Sequence, residues 1–357
     1  MAKSDPALAW LLEPDQPSIR AEALTQLLAR PETDPEVRAA RAEIPTTGWV
    51  AEILAERNPA GWWADGKRLY HPKYRSTLWR LLVLADLGIT RDHPAIRESC
   101  ELWFEREHKD DGGFGPDGNG RSHLCTTGNA VRALVQFGYG DDPRVRRAVD
   151  WLVSAADRKG GWSCYGSGRA LDAFEPLTAF AAYPRAKWTP EIAGTVERGA
   201  EFFLSRELHV QGDPYEPWSR THSPVHYYYD MLVGLDALTG LGYGADPRID
   251  YALAWLTQRR RRDGRWELDA VHPDVADGMA EWYAKHPKDR PTPWQVEPPG
   301  NPSKRVTLTA RKVLARVERA RGPGVTAARP APETPRAATR GSTAAGRRPA
   351  RRPAPTT

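Results

Sequence analysis

DDPRVRRAVDWL (141–152), KGGWSC (159–164) and GRALDAFEPLTAFAAYP (168–184) are the three consecutive stretches that decide the fold. In the first, Val145, Ala148, Val149 and Leu152 recur at helical spacing among charged residues, so one face is apolar and one is wet. Asp142 before Pro143 is good N-terminal chemistry: the carboxylate can cap, and proline's missing N–H is an unpaired position anyway. The second stretch is a glycine turn with an aromatic. The third is apolar around most of its circumference, as a helix buried on all sides must be. The unit is therefore an outer helix, a Gly-aromatic turn and an inner helix.

The same unit recurs along the chain. Taking Trp63, Phe114, Trp162, Trp218 and Trp266 as turn anchors, the steps are 51, 48, 56 and 48 residues. The outer helices read DHPAIRESCELWF (92–104), WTPEIAGTVERGAEFFL (188–204) and ADPRIDYALAWL (245–256). The inner helices read STLWRLLVLADLG (76–88), TTGNAVRALVQFGYG (126–140), HYYYDMLVGLDALTGLGYG (226–244) and KRVTLTARKVLARV (304–317). Three of them stop at Leu-Gly or Phe-Gly, the usual helix stop. No strand-period alternation competes. The expected fold is all-α: five to six helix pairs closed into an (α/α) toroid, one barrel inside another. An open α-solenoid is the other way to stack such pairs; burial all round the second helix favours the ring.

Three segments follow. Residues 1–45 carry short helical patterns that form an N-terminal cap or an additional pair. Residues 46–321 hold the repeats. Residues 322–357 are a Pro/Ala/Arg tail, expected to be disordered because it has too little apolar bulk to offset its ordering entropy. The tail carries seven Arg and one Glu, net +6, so the formal +5 of the whole chain leaves residues 1–321 at −1. Nucleic-acid contact is thus expected only through the tail. No run reaches the roughly 18–20 apolar residues of a membrane span. The N-terminus has no signal-peptide core. Three cysteines suit free thiols and a cytoplasmic location better than a disulfide framework.

The DGGFG and GGWSC turns, the DPRVRRAVDWL helices and the fifty-residue step resemble the α/α-toroid superfamily of class II terpene cyclases (squalene cyclase-like) and protein prenyltransferase β-subunits, over residues 46–320. The resemblance implies an aromatic-lined cavity opening at the N-terminal ends of the inner helices, and an isoprenoid or other apolar small-molecule substrate. Prenyltransferase β-subunits also work with a helical protein partner, which nothing in this chain supplies. Two family motifs are missing. Asp-Asp occurs at 110–111 and 141–142, but His108 and Tyr139 stand where Asp-x-Asp-Asp needs an Asp. Asp-Asp-x-x-Asp does not occur either.

The segments that enter the inner helices supply the candidate site. Cys125, Cys164 and His226 sit about one repeat apart, so a ring brings them near one another. Thiolate and imidazole suit zinc, with Asp230, one turn after His226, or a water as fourth ligand. The resemblance implies that such a zinc activates an incoming nucleophile. Packed thiols beside a helix-entry histidine are the alternative. Arg121, His123, Arg169 and Arg220 are candidates for an anionic substrate group. Trp79, Trp218, Tyr227 and Tyr228 are candidates for an aromatic lining. In a cyclase the acid is an unconventional carboxyl, with Asp230, Asp172 and Glu175 as candidates. A non-catalytic toroid that holds a lipid or protein segment is the reading from a different class.

Overall fold

The computed structural model describes residues 5–116, 120–157, 161–162, 174–208, 216–226, 229–270, 285 and 296–322. Thirteen α-helices occur among them. They are α1 (Pro6–Leu11), α2 (Pro17–Gln26), α3 (Pro35–Glu43), α4 (Gly48–Ala55), α5 (Thr77–Asp86), α6 (Pro94–Glu107) and α7 (Leu124–Leu134). After these come α8 (Pro143–Ser154), α9 (Phe174–Ala182), α10 (Pro190–Leu204), α11 (Met231–Gly240), α12 (Asp250–Gln258) and α13 (Lys304–Arg321). Only isolated β-bridges occur in the described residues, at His108–Phe114, His222–Ala270 and Glu267–Pro302.

Burial separates two layers. Helix α5 buries nine of its ten residues and α7 nine of eleven, whereas α8 buries four of twelve. The first two are inner, the third outer. Inner helices pack in sequence, α5 on α7, α7 on α9, α9 on α11 and α11 on α13, and α13 then packs on α2. Trp49 of α4 touches both the main core and the small cluster of Leu11, Ile19, Ala23 and Leu308, joining α2's side of the ring to the rest. All six inner helices line one central cavity. The α/α toroid expected from the repeats is what forms.

The repeat is built by a recurring set of bonds. The anchor indole donates ten residues back to a carbonyl at the end of its outer helix: Trp63 to Ile53 (2.7 Å), Trp162 to Leu152 (3.0 Å) and Trp266 to Leu256 (2.7 Å). The anchor's backbone N–H is accepted by a threonine of the next inner helix: Trp63 by Thr77 (3.0 Å), Phe114 by Thr127 (2.9 Å) and Trp266 by Thr307 (2.9 Å). An anchor indole thus pairs a carbonyl in the outer helix's last turn, and the anchor backbone ties that turn to the inner helix. Trp218 does not follow this pattern. It lies in a 3₁₀ turn (Glu216–Ser219) and packs edge-on against Tyr229, which fits its irregular step.

Outer helices are joined by a second recurring device. Arg144, two residues after its cap Asp142, reaches Glu101 of α6 (2.7 Å). Arg248, two after Asp246, reaches Glu201 of α10 (2.8 Å). The inner-helix stops behave as the sequence implies: Gly88 (φ 74°), Gly138 (φ 96°) and Gly242 (φ 96°) all take the left-handed conformation that glycine adopts at least cost.

Some helix starts differ from expectation. His93, not Asp92, is the cap residue of α6, and its side chain makes no capping bond. The helix expected from His226 begins at Met231, because His226 has φ 44° and cannot be helical, and Asp230 caps α11 instead. The one-turn spacing of His226 and Asp230 therefore does not exist. Residues 5–45 dock on α13 through Leu308 and through ion pairs of Lys304 with Glu13 (3.0 Å) and Asp15 (2.6 Å), and of Arg311 with Asp5 (2.5 Å). The tail from 323 onward lies outside the described residues.

Candidate functional site

The central cavity has a volume of about 1110 Å³, above the usual range for small-molecule pockets. Its wall includes Val83, Leu87, Phe174, Leu232, Val233 and Val306. Several of its exposed lining residues, Gln26, Glu32, Asp92, Gln136 and Gly240, lie at or beyond the C-terminal ends of inner helices. Trp49 and Phe174 are the Trp, Tyr or Phe side chains among its described lining. The described wall is thus more aliphatic and charged than the aromatic lining the resemblance implies.

At the opposite end sit His222 and Asp230. Asp230 Oδ1 accepts the N–H of Val233 (2.8 Å), satisfying one orphan donor of α11. Oδ2 accepts the His222 N–H (3.1 Å) and lies 2.7 Å from His222 Nδ1. Both side chains are 1% exposed, and both residues line the cavity. Thr221 pins the segment from the other side: its N–H donates to Asp269 (2.8 Å) and its hydroxyl to the Glu267 carbonyl (2.8 Å). The carboxylate thus faces Nδ1, and Nε2 is the ring nitrogen on the far side.

Among the described candidates, Asp230 lines this cavity; Trp79, Arg121, His123, Cys125, Glu175, Trp218, Arg220 and His226 do not. Trp79 is fully buried in α5, donates its indole N–H to Tyr70 (2.7 Å) and packs against Tyr74. Arg121 is exposed, and His123 is the N-cap of α7. Cys125 is half-buried, one turn before Asn129, whose amide donates to the His226 carbonyl (3.3 Å). Trp218 is buried and Arg220 half-buried. Asp172, Arg169, Tyr227, Tyr228 and Cys164 lie outside the described residues.

His226 is 2% exposed, with its ring stacked on Tyr74 (5.2 Å) and edge-on to Trp79 (5.2 Å). Neither ring nitrogen has a hydrogen-bond partner among the described residues. Burial, with Arg132, His222, Lys73 and Arg80 adding repulsion, pushes its pKa down to about 3, so it is neutral. Zinc does not fit the described donors: no three His, Cys, Asp or Glu among the described residues are grouped to hold a metal, and the His226 ring is enclosed by aromatics.

The sequence reading passed over the charges inside the barrel. Asp86, Arg132, Asp236, Lys312 and Arg316 stand on inner helices and line the cavity. Arg132 and Asp236 are lone charges in otherwise apolar helices, the signal that marks those two.

No family model matches the chain. A curated relative, the squalene–hopene cyclase of Bradyrhizobium diazoefficiens, is 26% identical over 164 residues, 43% of this chain and 23% of the relative. The chain thus spans about a quarter of the length of that relative. Among solved structures, the type II terpene cyclase MstE from Scytonema with the substrate geranylgeranyl dihydroxybenzoate aligns over 88% of this chain and 95% of its own, at 15% identity and a TM-score of 0.45. A protein from Actinoplanes aligns over 87% and 97%, at 18% identity and a TM-score of 0.44. The repeat, the helical toroid and the sequence similarity together define a terpene cyclase-like fold. Among the described residues, no helix is long and apolar enough to cross a membrane.

Proposed function

We propose that the barrel cavity binds an isoprenoid or similar apolar-chain molecule and that His222, oriented by Asp230, moves a proton on it. The observation that carries this reading is the 2.7 Å approach of His222 Nδ1 to Asp230 Oδ2, with both residues buried and lining the cavity. An imidazole beside a carboxylate is a base whose cation the carboxylate stabilises. Such a pair is too weak an acid to protonate an alkene. It suits the closing step of a cyclisation: a C–H beside a cationic carbon breaks, its electrons form a C=C bond, and Nε2 takes the proton. Asp230 is the positioning residue in this scheme, because both of its oxygens already accept. Asp172 is the carboxyl proposed to start the reaction; Glu175, buried in the first turn of α9, lies outside the described lining of the cavity.

Zinc assistance by Cys125, Cys164 and His226 forms no part of this scheme, because the His226 ring packs between Tyr74 and Trp79. The test is incubation of the full chain with polyprenyl alcohols, acids and hydrocarbons, with products read by mass spectrometry. A cyclised product that disappears in His222→Gln, with binding retained, supports the proposal. Tight binding without turnover of any probe overturns the catalytic part and leaves a carrier toroid.

A further inference from the structure

Helices α1, α2 and α3 form a panel with apolar clusters of its own. Both α1 and α3 pack on α2. Leu12 ties two small clusters together, one of Leu11, Ile19 and Ala23 and one of Ala21, Leu24, Val37 and Ala40. Both are separate from the main core, which starts in the chain at Ile44. The first cluster reaches the ring through Leu308 of α13 and Trp49 of α4.

Ion pairs cross the same seam, and their charges are sorted. Asp5, Glu13, Asp15 and Glu22 stand on the panel; their partners Arg311, Lys304, Arg305 and Lys312 all stand on α13. Lys304 holds two of the carboxylates, and Glu22 holds two of the cations. Trp10 of α1 lies under Arg265 (4.2 Å) and Lys304 (5.6 Å). A seam of this kind parts at lower cost than aliphatic packing, because separated charges regain hydration and separated apolar surfaces do not. The Asp5, Glu13 and Asp15 side chains are 38%, 51% and 58% exposed, so water already reaches them and salt screens their pairs.

The panel is also a wall of the cavity. Ser18, Glu22, Thr25 and Gln26 of α2 line it, and Gln26 and Glu32 are among its exposed residues. Arg41, which lines it too, forks back onto Glu32 of its own panel (3.0 and 2.7 Å). Where the panel meets α4, Gln16 accepts the Trp49 N–H (3.2 Å), and residues 44–47 link the two bodies.

We propose that α1–α3 are a gate. They swing as one unit about residues 44–47, part from α13 and widen the mouth of the cavity, with the acid–base seam as the latch. The inference concerns access to the cavity and does not depend on the chemistry proposed inside it.

The test uses the full chain and no ligand. Val233, buried in the cavity wall, is changed by Val233→Cys, and two rates are read by peptide mass spectrometry. One is amide hydrogen exchange, helix by helix; the other is labelling of the introduced thiol by N-ethylmaleimide. Both are measured with and without Lys304→Met plus Arg311→Met, which open the latch at residues outside the cavity lining. The gate predicts that α1, α2 and α3 exchange together and ahead of α5 and α7, roughly tenfold faster in the double variant. The thiol is then labelled several-fold faster, while α5 and α7 keep their rates. With the latch intact, 1 M KCl acts in the same direction. Asp5→Arg added to Arg311→Asp restores a pair with its signs exchanged and slows both rates relative to Arg311→Asp alone. If α1–α3 exchange no faster than α5 and α7, the panel is a fixed part of the ring and the proposal is overturned. If they exchange faster and labelling does not change, the panel is loose without gating, and the proposal is overturned as well. Should the double variant not fold, the salt and sign-exchange measurements decide by the same criteria.

Discussion

Substituting His226 by Phe should flatten the acid side of the stability profile by about 2 kcal/mol. The folded imidazole titrates at about 3 against 6.5 for the ordinary group, because it is enclosed by Tyr74 and Trp79 and faces Arg132, His222, Lys73 and Arg80. The sign follows from proton counting. Between those two values the unfolded chain binds a proton that the folded chain refuses, so stability falls as pH falls. From pH 7 to pH 5 the unfolded state gains about 2 kcal/mol from this one group, and little is recovered until pH approaches 3. The assay is urea unfolding at both pH values for wild type and for His226→Phe, which keeps the ring's bulk and removes its titration. Any loss of packing in the variant is present at both pH values and cancels in the difference. The account predicts a loss on acidification that is about 2 kcal/mol smaller in the variant. Equal losses in the two proteins would refute it and show that the ring is solvated or paired when folded.

Other predictions follow from the repeat and the site. Thr307→Val removes the acceptor of the buried Trp266 N–H and should cost about 1–3 kcal/mol in urea unfolding. Trp162→Phe should also destabilise, by roughly 1–3 kcal/mol, because it orphans the Leu152 carbonyl in a dry junction. Gly128→Ala should cost about 1–3 kcal/mol despite alanine's better helix propensity, since its Cβ would sit 2.6 Å from the Glu175 carbonyl carbon where α7 meets α9; a stabilised variant would show that the two helices are not in contact. Metal analysis of the purified chain should give no zinc content that depends on His226, and a zinc stoichiometry lost in His226→Gln would contradict the aromatic packing described for that ring.

The outer–turn–inner alternation was legible because each part has its own chemistry: Asp-Pro at Asp142 and Asp246, glycine at Gly88, Gly138 and Gly242, and an aromatic at each turn. The site was less legible. Position in the repeat brought out Cys125 and His226, yet neither lines the cavity. Ring equivalence sets which helices are neighbours, while the side-chain direction depends on local backbone. His226 has left-handed φ and turns its ring onto α5, which no spacing rule reveals. His222 belonged to the same entry segment, but its importance depends on the cap at Asp230, eight residues on, and on Thr221 pinning the loop to Asp269. Arg132 and Asp236 were visible as lone charges in apolar helices. Their pairing, with Asp86 and Arg316, becomes apparent only once the ring closes.

The cavity claim is tested most directly by a crystal structure of the full chain grown with farnesol or farnesoic acid. The account predicts ligand density inside the barrel, with the chain against Val83, Phe174 and Val233 and within reach of His222. A barrel interior that holds only ordered water, with the ligand elsewhere or absent, would contradict it.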